Sequence, residues 1–136
     1  MTKILLVEDS KFLRVTTERA LTRAGYEVSC AVDGEEGLRL AREKLPDLIL
    51  LDMLLPKMTG LDVLAALKQD IATEWIPVVV LTGMSQKNAA KLQGDGAFAF
   101  LEKGALELDK GSAKLLGELQ QILEKIRHTA GKSTSA

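Results

Sequence analysis

A doubly wound α/β fold around a five-stranded parallel sheet is predicted by three features of this 136-residue chain. Apolar runs of four or five residues alternate with longer amphipathic stretches. Most of the runs lack polar alternation, as strands covered on both faces do. Prolines and glycines punctuate the junctions between them.

The strands read Ile4 to Val7, Val28 to Val32, Leu48 to Leu51, Val78 to Leu81 and Phe98 to Leu101. The helices read Ser10 to Ala24, Gly34 to Lys44, Gly60 to Asp70, Ser85 to Gln93 and Leu108 to Arg127. In the last, Leu115, Leu116, Leu119, Ile122, Leu123 and Ile126 fall on one stripe at helical spacing. The fourth carries few apolar side chains and is expected to be the least firmly held. Pro46, Pro56 and Pro77 lie outside every helical stretch, and Gly25, Gly34, Gly60 and Gly96 sit at turns. Thr129 to Ala136 is small and polar, so a domain over 1–128 followed by a frayed tail is expected.

With 46% hydrophobic residues the chain can fill one core. Its 18 basic and 19 acidic residues give a formal charge of -1, so no broad positive field is available to gather nucleic acid or anionic lipid. The single cysteine, Cys30, excludes an internal disulfide and a thiolate-clustered zinc site, and His128 is the lone histidine. Only four apolar residues lie between Lys3 and Glu8, far short of a membrane span or secretory core. A cytoplasmic protein with neither nucleic-acid binding nor membrane insertion is expected.

Open parallel sheets bind ligands beyond the carboxyl ends of their strands. The first strand here ends in Glu8-Asp9, the third in Asp52 and the fourth in Thr82, while Lys103 follows the fifth. Singly, these residues have structural explanations: Asp9 or Ser10 could cap a helix, Thr82 could end a strand, and Lys103 could be solvated surface. Asp52 is separated from the next helix by Met53 to Thr59, so capping does not account for it. Three carboxylates at one edge repel one another and require a cation or a neutralised carboxyl. Lys103 supplies one charge, and Mg²⁺, an oxygen-seeking dication that keeps several waters, suits a shallow carboxylate site.

At these residues the chain resembles the receiver domains of two-component response regulators, the CheY-like family, from Lys3 to Arg127. Glu8-Asp9, the segment Asp52 to Gly60, Ile76-Pro77 with Leu81-Thr82, and Gly96-Ala97 before Phe100 and Lys103 follow the family's order and spacing. The resemblance implies a flavodoxin-like (βα)5 three-layer sandwich with strand order 2-1-3-4-5. It implies that Asp52 is the phosphoacceptor towards a phosphohistidine on a sensor histidine kinase or histidine phosphotransfer protein. Asp9, Asp52 and the main-chain carbonyl of Leu54 would bind Mg²⁺ directly, Glu8 through water, and Lys103 would neutralise the moving phosphoryl group. Thr82 and Phe100 would switch a surface formed by the fourth helix, fifth strand and last helix, which a downstream protein target reads. Such a protein is a signalling phosphoacceptor, not a multiple-turnover enzyme. For Phe100, plain core packing is an equal reading.

The family's usual proline after the lysine is Gly104 here, which predicts a trans peptide and a relaxed loop. Leu54 and Met84, flanking the site, are both apolar and cannot orient a water, which predicts slow dephosphorylation. A nucleotide-binding module of the same architecture would need a Gly/Ser/Thr-rich first loop, where this chain has two anions. An aspartate-dependent phosphohydrolase would carry a second acid at Leu54. A degenerate receiver acting only as an interaction module is the remaining alternative, though such domains lose residues that this chain retains.

Overall fold

In the computed structural model, which describes residues 1–83, 94–106 and 111–134, the five expected strands form one sheet. They are β1 (Lys3–Val7), β2 (Glu27–Ala31), β3 (Leu48–Asp52), β4 (Val78–Thr82) and β5 (Ala99–Glu102). All neighbours pair parallel in the order β2-β1-β3-β4-β5. The helices are α1 (Lys11–Arg23), α2 (Gly34–Lys44), α3 (Gly60–Gln69), the short α4 (Lys103–Leu106) and α5 (Ala113–Thr134). The expected helix from Ser85 to Gln93 lies outside the described residues.

Every residue of β3 and β4 is buried, which is why neither strand shows polar alternation. Side chains divide by strand period between two cores. Leu5, Val7, Ile49, Leu51, Val78 and Val80 pack with Ala41 of α2 and with Val63, Leu64 and Leu67 of α3. Ile4, Leu6, Leu48, Leu50, Val79 and Leu81 pack on the other face with Leu21 of α1 and with Leu115, Leu119 and Ile122 of α5. The apolar stripe read from the last helix is thus the seam that closes the second layer.

Local chemistry starts the helices where the site needs them. Ser10 caps α1 by accepting from the Leu13 N–H, and Asp33 caps α2 by accepting from Glu36. Thr59 and Asp62 form a reciprocal capping box on α3.

Several boundaries differ from expectation for identifiable reasons. β2 ends at Ala31, whose carbonyl accepts from the Glu8 N–H; the Val32 N–H turns instead to the Glu36 carboxylate, leaving that valine 41% exposed. Lys103 opens a helical turn, α4, where a relaxed loop was expected. The described residues contain no cis peptide bond. The backbone of α5 continues past Arg127 to Thr134, through residues expected as a tail. No proline interrupts that segment, and adding residues to an existing helix is easier than nucleating one.

Candidate functional site

The register of the sheet builds the site. Val7 lies opposite Leu51, Asp52 opposite Leu81, and Thr82 opposite Glu102, so the residues that end β1, β3, β4 and β5 meet at one edge. Glu8, Asp52 and Thr82 are nearly fully buried there, whereas Asp9 is exposed. Glu8, Asp9 and Asp52 each offer a carboxylate oxygen within 4.8 Å of the others.

Lys103, carried to the same edge by β5, holds the cluster together. Its Nζ lies 3.1 Å from Asp52 Oδ2 and 3.4 Å from Glu8 Oε1, with its side chain 24% exposed. The second Asp52 oxygen, Oδ1, accepts from the Leu54 N–H at 3.2 Å. Glu8 Oε2 accepts from the Ser10 N–H at 3.1 Å. Burial pushes the Glu8 carboxyl up to about 7, reinforced by its hydrogen bond to Asp52 and by that residue's charge. Burial opposes the charge on Lys103, yet the bonds and charges of Asp52 and Glu8 raise its pKa above the ordinary lysine value. One ammonium thus faces three carboxylates, and the edge keeps an excess of negative charge. An all-oxygen donor set with that excess fits a hard dication far better than a soft metal.

Each predicted residue has a definite place. Glu8, Asp9, Asp52 and Lys103 converge. Leu54, two residues after Asp52, is 76% exposed. Thr82 ends β4 in the buried layer. Phe100 pairs with Val80 and is partly buried against the core shared with α2 and α3. Since Val80 and Thr82 are two residues apart on one strand, Thr82 and Phe100 lie on the same face of the sheet. Arg14, on α1, was not foreseen: its Nη1 donates to the carbonyls of Glu8 and Asp9 at 3.1 and 3.3 Å. The available signal was a cation in the first turn of the helix that follows an acidic pair.

The approach of α3 to this edge depends on Gly60. Its N–H donates to the Met53 carbonyl at 3.0 Å, and a Cβ there would sit 2.7 Å from both the Asp52 carbonyl oxygen and Met53 Cα. Backbone cannot yield as a side chain tip can, so Gly60→Ala is expected to cost about 1–3 kcal/mol. At Gly104 a Cβ would meet nothing within 4 Å, and Gly104→Ala is expected to stay within ~0.5 kcal/mol of the parent. Urea denaturation of the two variants checks the contrast.

The sequence comparisons agree with this architecture. Residues 4–111 match the response regulator receiver domain family. The chain is 41% identical over 105 residues to the DNA-binding dual master transcriptional regulator RpaA of Synechocystis, covering 76% of this chain and 43% of that protein. It is 36% identical over 105 residues to the polar-differentiation response regulator DivK of Brucella ovis, covering 76% and 85%. The solved structure of the chemotaxis response regulator CheY4 of Vibrio cholerae superposes with a TM-score of 0.81 at 32% identity, over 90% of this chain and 98% of that one.

A five-stranded parallel sheet of this order, with an acidic cluster and a lysine at its carboxyl edge, defines a CheY-like flavodoxin fold with a carboxylate site. The chain belongs to the response regulator receiver domain family of two-component signalling. It spans less than half the length of the transcriptional regulators it matches, 35% in one and 43% in another.

Proposed function

We propose that this domain accepts a phosphoryl group on Asp52 with the help of a bound Mg²⁺, and that the acylated form is read by a protein partner in the cytoplasm. The observation that carries the reading is the contact of Lys103 with Asp52 beside two further carboxylates. Among the described residues no helix is long and apolar enough to cross a membrane.

In the proposed reaction an Asp52 oxygen attacks phosphorus in line as the phosphorus–nitrogen bond of a phosphohistidine breaks. An acyl phosphate forms, and the histidine leaves with the electron pair. The donor is a sensor histidine kinase or a histidine phosphotransfer protein. Lys103 balances charge gathering on the phosphoryl oxygens, and the Leu54 N–H keeps the carboxylate oriented. Asp9, Asp52 and the Leu54 main-chain carbonyl would hold Mg²⁺ directly and Glu8 through water; the ion supplies further charge neutralisation. The Thr82 hydroxyl would donate to a phosphoryl oxygen of the acylated site. Phe100, on the same face, would then repack and alter the surface offered to a target. The domain would catalyse only its own phosphorylation and dephosphorylation.

Absence of nucleic-acid contact was an expectation from charge alone, and the DNA-binding description of RpaA gives it no support. The test of the proposal is incubation with phosphoramidate. Mg²⁺ should allow one phosphoryl group per chain by intact mass, and chelation of the metal should prevent it.

Two further outcomes follow from the site. Glu8 is raised from 4.5 to about 7, so in the metal-free protein its proton is retained through mildly acidic pH. A raised folded-state pKa stabilises below the unfolded value, and that stability is lost as pH climbs through the folded one. Metal-free stability should therefore fall between about pH 4.5 and 7. Mg²⁺ must displace the proton at acidic pH, so its affinity should rise with pH up to about 7, with proton release detectable by calorimetry in buffers of different ionisation enthalpy. The second outcome concerns lifetime: with an apolar residue, Leu54, two positions after Asp52 and no side chain there to orient a water, the acyl phosphate should persist for minutes or longer without a phosphatase. A decay within seconds would contradict this.

A further inference from the structure

Past the last rung of β1, the chain still has to aim two carboxylates at a common point. Pairing of β1 ends at Val7 on both sides, and the Glu8 N–H is tied to the Ala31 carbonyl. The carbonyls of Glu8 and Asp9 therefore lie beyond the strand ladder. Both accept from one nitrogen of Arg14, at 3.1 and 3.3 Å. The rotation of these two peptide units sets where the side chains of Glu8 and Asp9 point, because each Cα–Cβ bond is rigidly attached to its own backbone.

Helix stability alone does not call for a cation at this place. Arg14 donates its own N–H to Ser10, the cap of α1, so it stands in the first turn. A positive charge there faces the positive end of the helix dipole, and the first turn of α1 contains no acidic residue to offset it. Arg14 is half-buried, and the contacts of its guanidinium reach back to the loop before the helix. A planar, permanently charged fork suits that task, since its hydrogens are pre-organised and it keeps its charge at any working pH.

We propose that Arg14 is a positioning residue: by clamping the carbonyls of Glu8 and Asp9 it fixes the directions in which their carboxylates meet a divalent cation. This rests on the metal-assisted reading given above. Residues that orient metal ligands from outside the coordination sphere typically alter metal affinity ~10–100-fold when removed.

The experiment compares wild type with Arg14→Met and Arg14→Gln. It uses calorimetric Mg²⁺ titration at pH 8 and amide hydrogen exchange on the metal-free protein. Either neutral variant should raise the Mg²⁺ dissociation constant roughly tenfold or more. The Asp9 and Ser10 amides should exchange faster while those of β3 keep their protection. Phosphorylation by phosphoramidate should return close to the wild-type rate once Mg²⁺ is raised to saturation, separating positioning from chemistry. Arg14→Lys, which keeps the charge without the fork, should recover part of the lost affinity. A folded neutral variant that binds Mg²⁺ within twofold of wild type overturns the clamp. A wild-type protein that takes up no Mg²⁺ overturns the metal-assisted reading itself.

Discussion

Replacement of Asp52 by asparagine is expected to abolish phosphoryl uptake at every donor and Mg²⁺ concentration. The amide matches the carboxylate in shape, and its oxygen can still accept from the Leu54 N–H, now at 3.2 Å from Asp52 Oδ1, so the fold should survive. What disappears is the anionic nucleophile. The same variant should shift a neighbour. Asp52 raises the Glu8 carboxyl both through a hydrogen bond and through its charge, leaving burial as the first and largest cause. With the charge removed, Glu8 should titrate below about 7. Intact mass after phosphoramidate treatment checks the first outcome, and carbon-detected magnetic resonance titration of the Glu8 carboxyl checks the second.

Lys103→Met should slow phosphorylation about 10²–10³-fold at saturating Mg²⁺, the range seen when a pre-organised charge-stabilising group is removed. The reasoning is local. The ammonium lies 3.1 Å from Asp52 Oδ2, on the oxygen not engaged by Leu54, and methionine keeps the length of the stem while deleting the charge. Mg²⁺ affinity should not weaken in step, because loss of a neighbouring cation leaves the carboxylates more attractive to a dication. Lys103→Arg should fall short of wild type: a planar fork does not occupy the place of a compact ammonium. Initial rates by intact mass, alongside calorimetric Mg²⁺ titration, separate the two effects.

The strands were legible because a buried parallel sheet writes itself as unbroken apolar runs, as in Leu48 to Leu51 and Val78 to Leu81. The apolar runs stop one residue short of the strands they mark, because Asp52 and Thr82 belong to β3 and β4. Strand pairing continues for as long as backbone partners exist, whatever the side chain. Val32 reads as part of β2 from its apolar character, although the Glu36 carboxylate takes its N–H out of the ladder. The strand order came from family resemblance, since apolar runs alone do not say which strands are neighbours.

For the site, the convergence of Glu8, Asp9, Asp52 and Lys103 could be anticipated because each ends a strand or directly follows one, and the strands of such a sheet end on one edge. Arg14 could not be found in this way. Its contacts are with main-chain carbonyls, which the sequence does not mark beyond a cation early in the helix, and only the folded geometry connects it to the acid pair. The closeness of Gly60 to the Asp52 backbone is likewise a tertiary fact, visible in the sequence only as a glycine ahead of an apolar stretch.

The measurement that reaches the central claim most directly locates the modified residue. After treatment with phosphoramidate and Mg²⁺, borohydride reduction converts an aspartyl phosphate into homoserine, which peptide mass spectrometry places in the sequence. The account predicts homoserine at position 52 alone, and none when the metal is chelated. Homoserine at another position, or an unreduced chain with donor and metal both present, would contradict it.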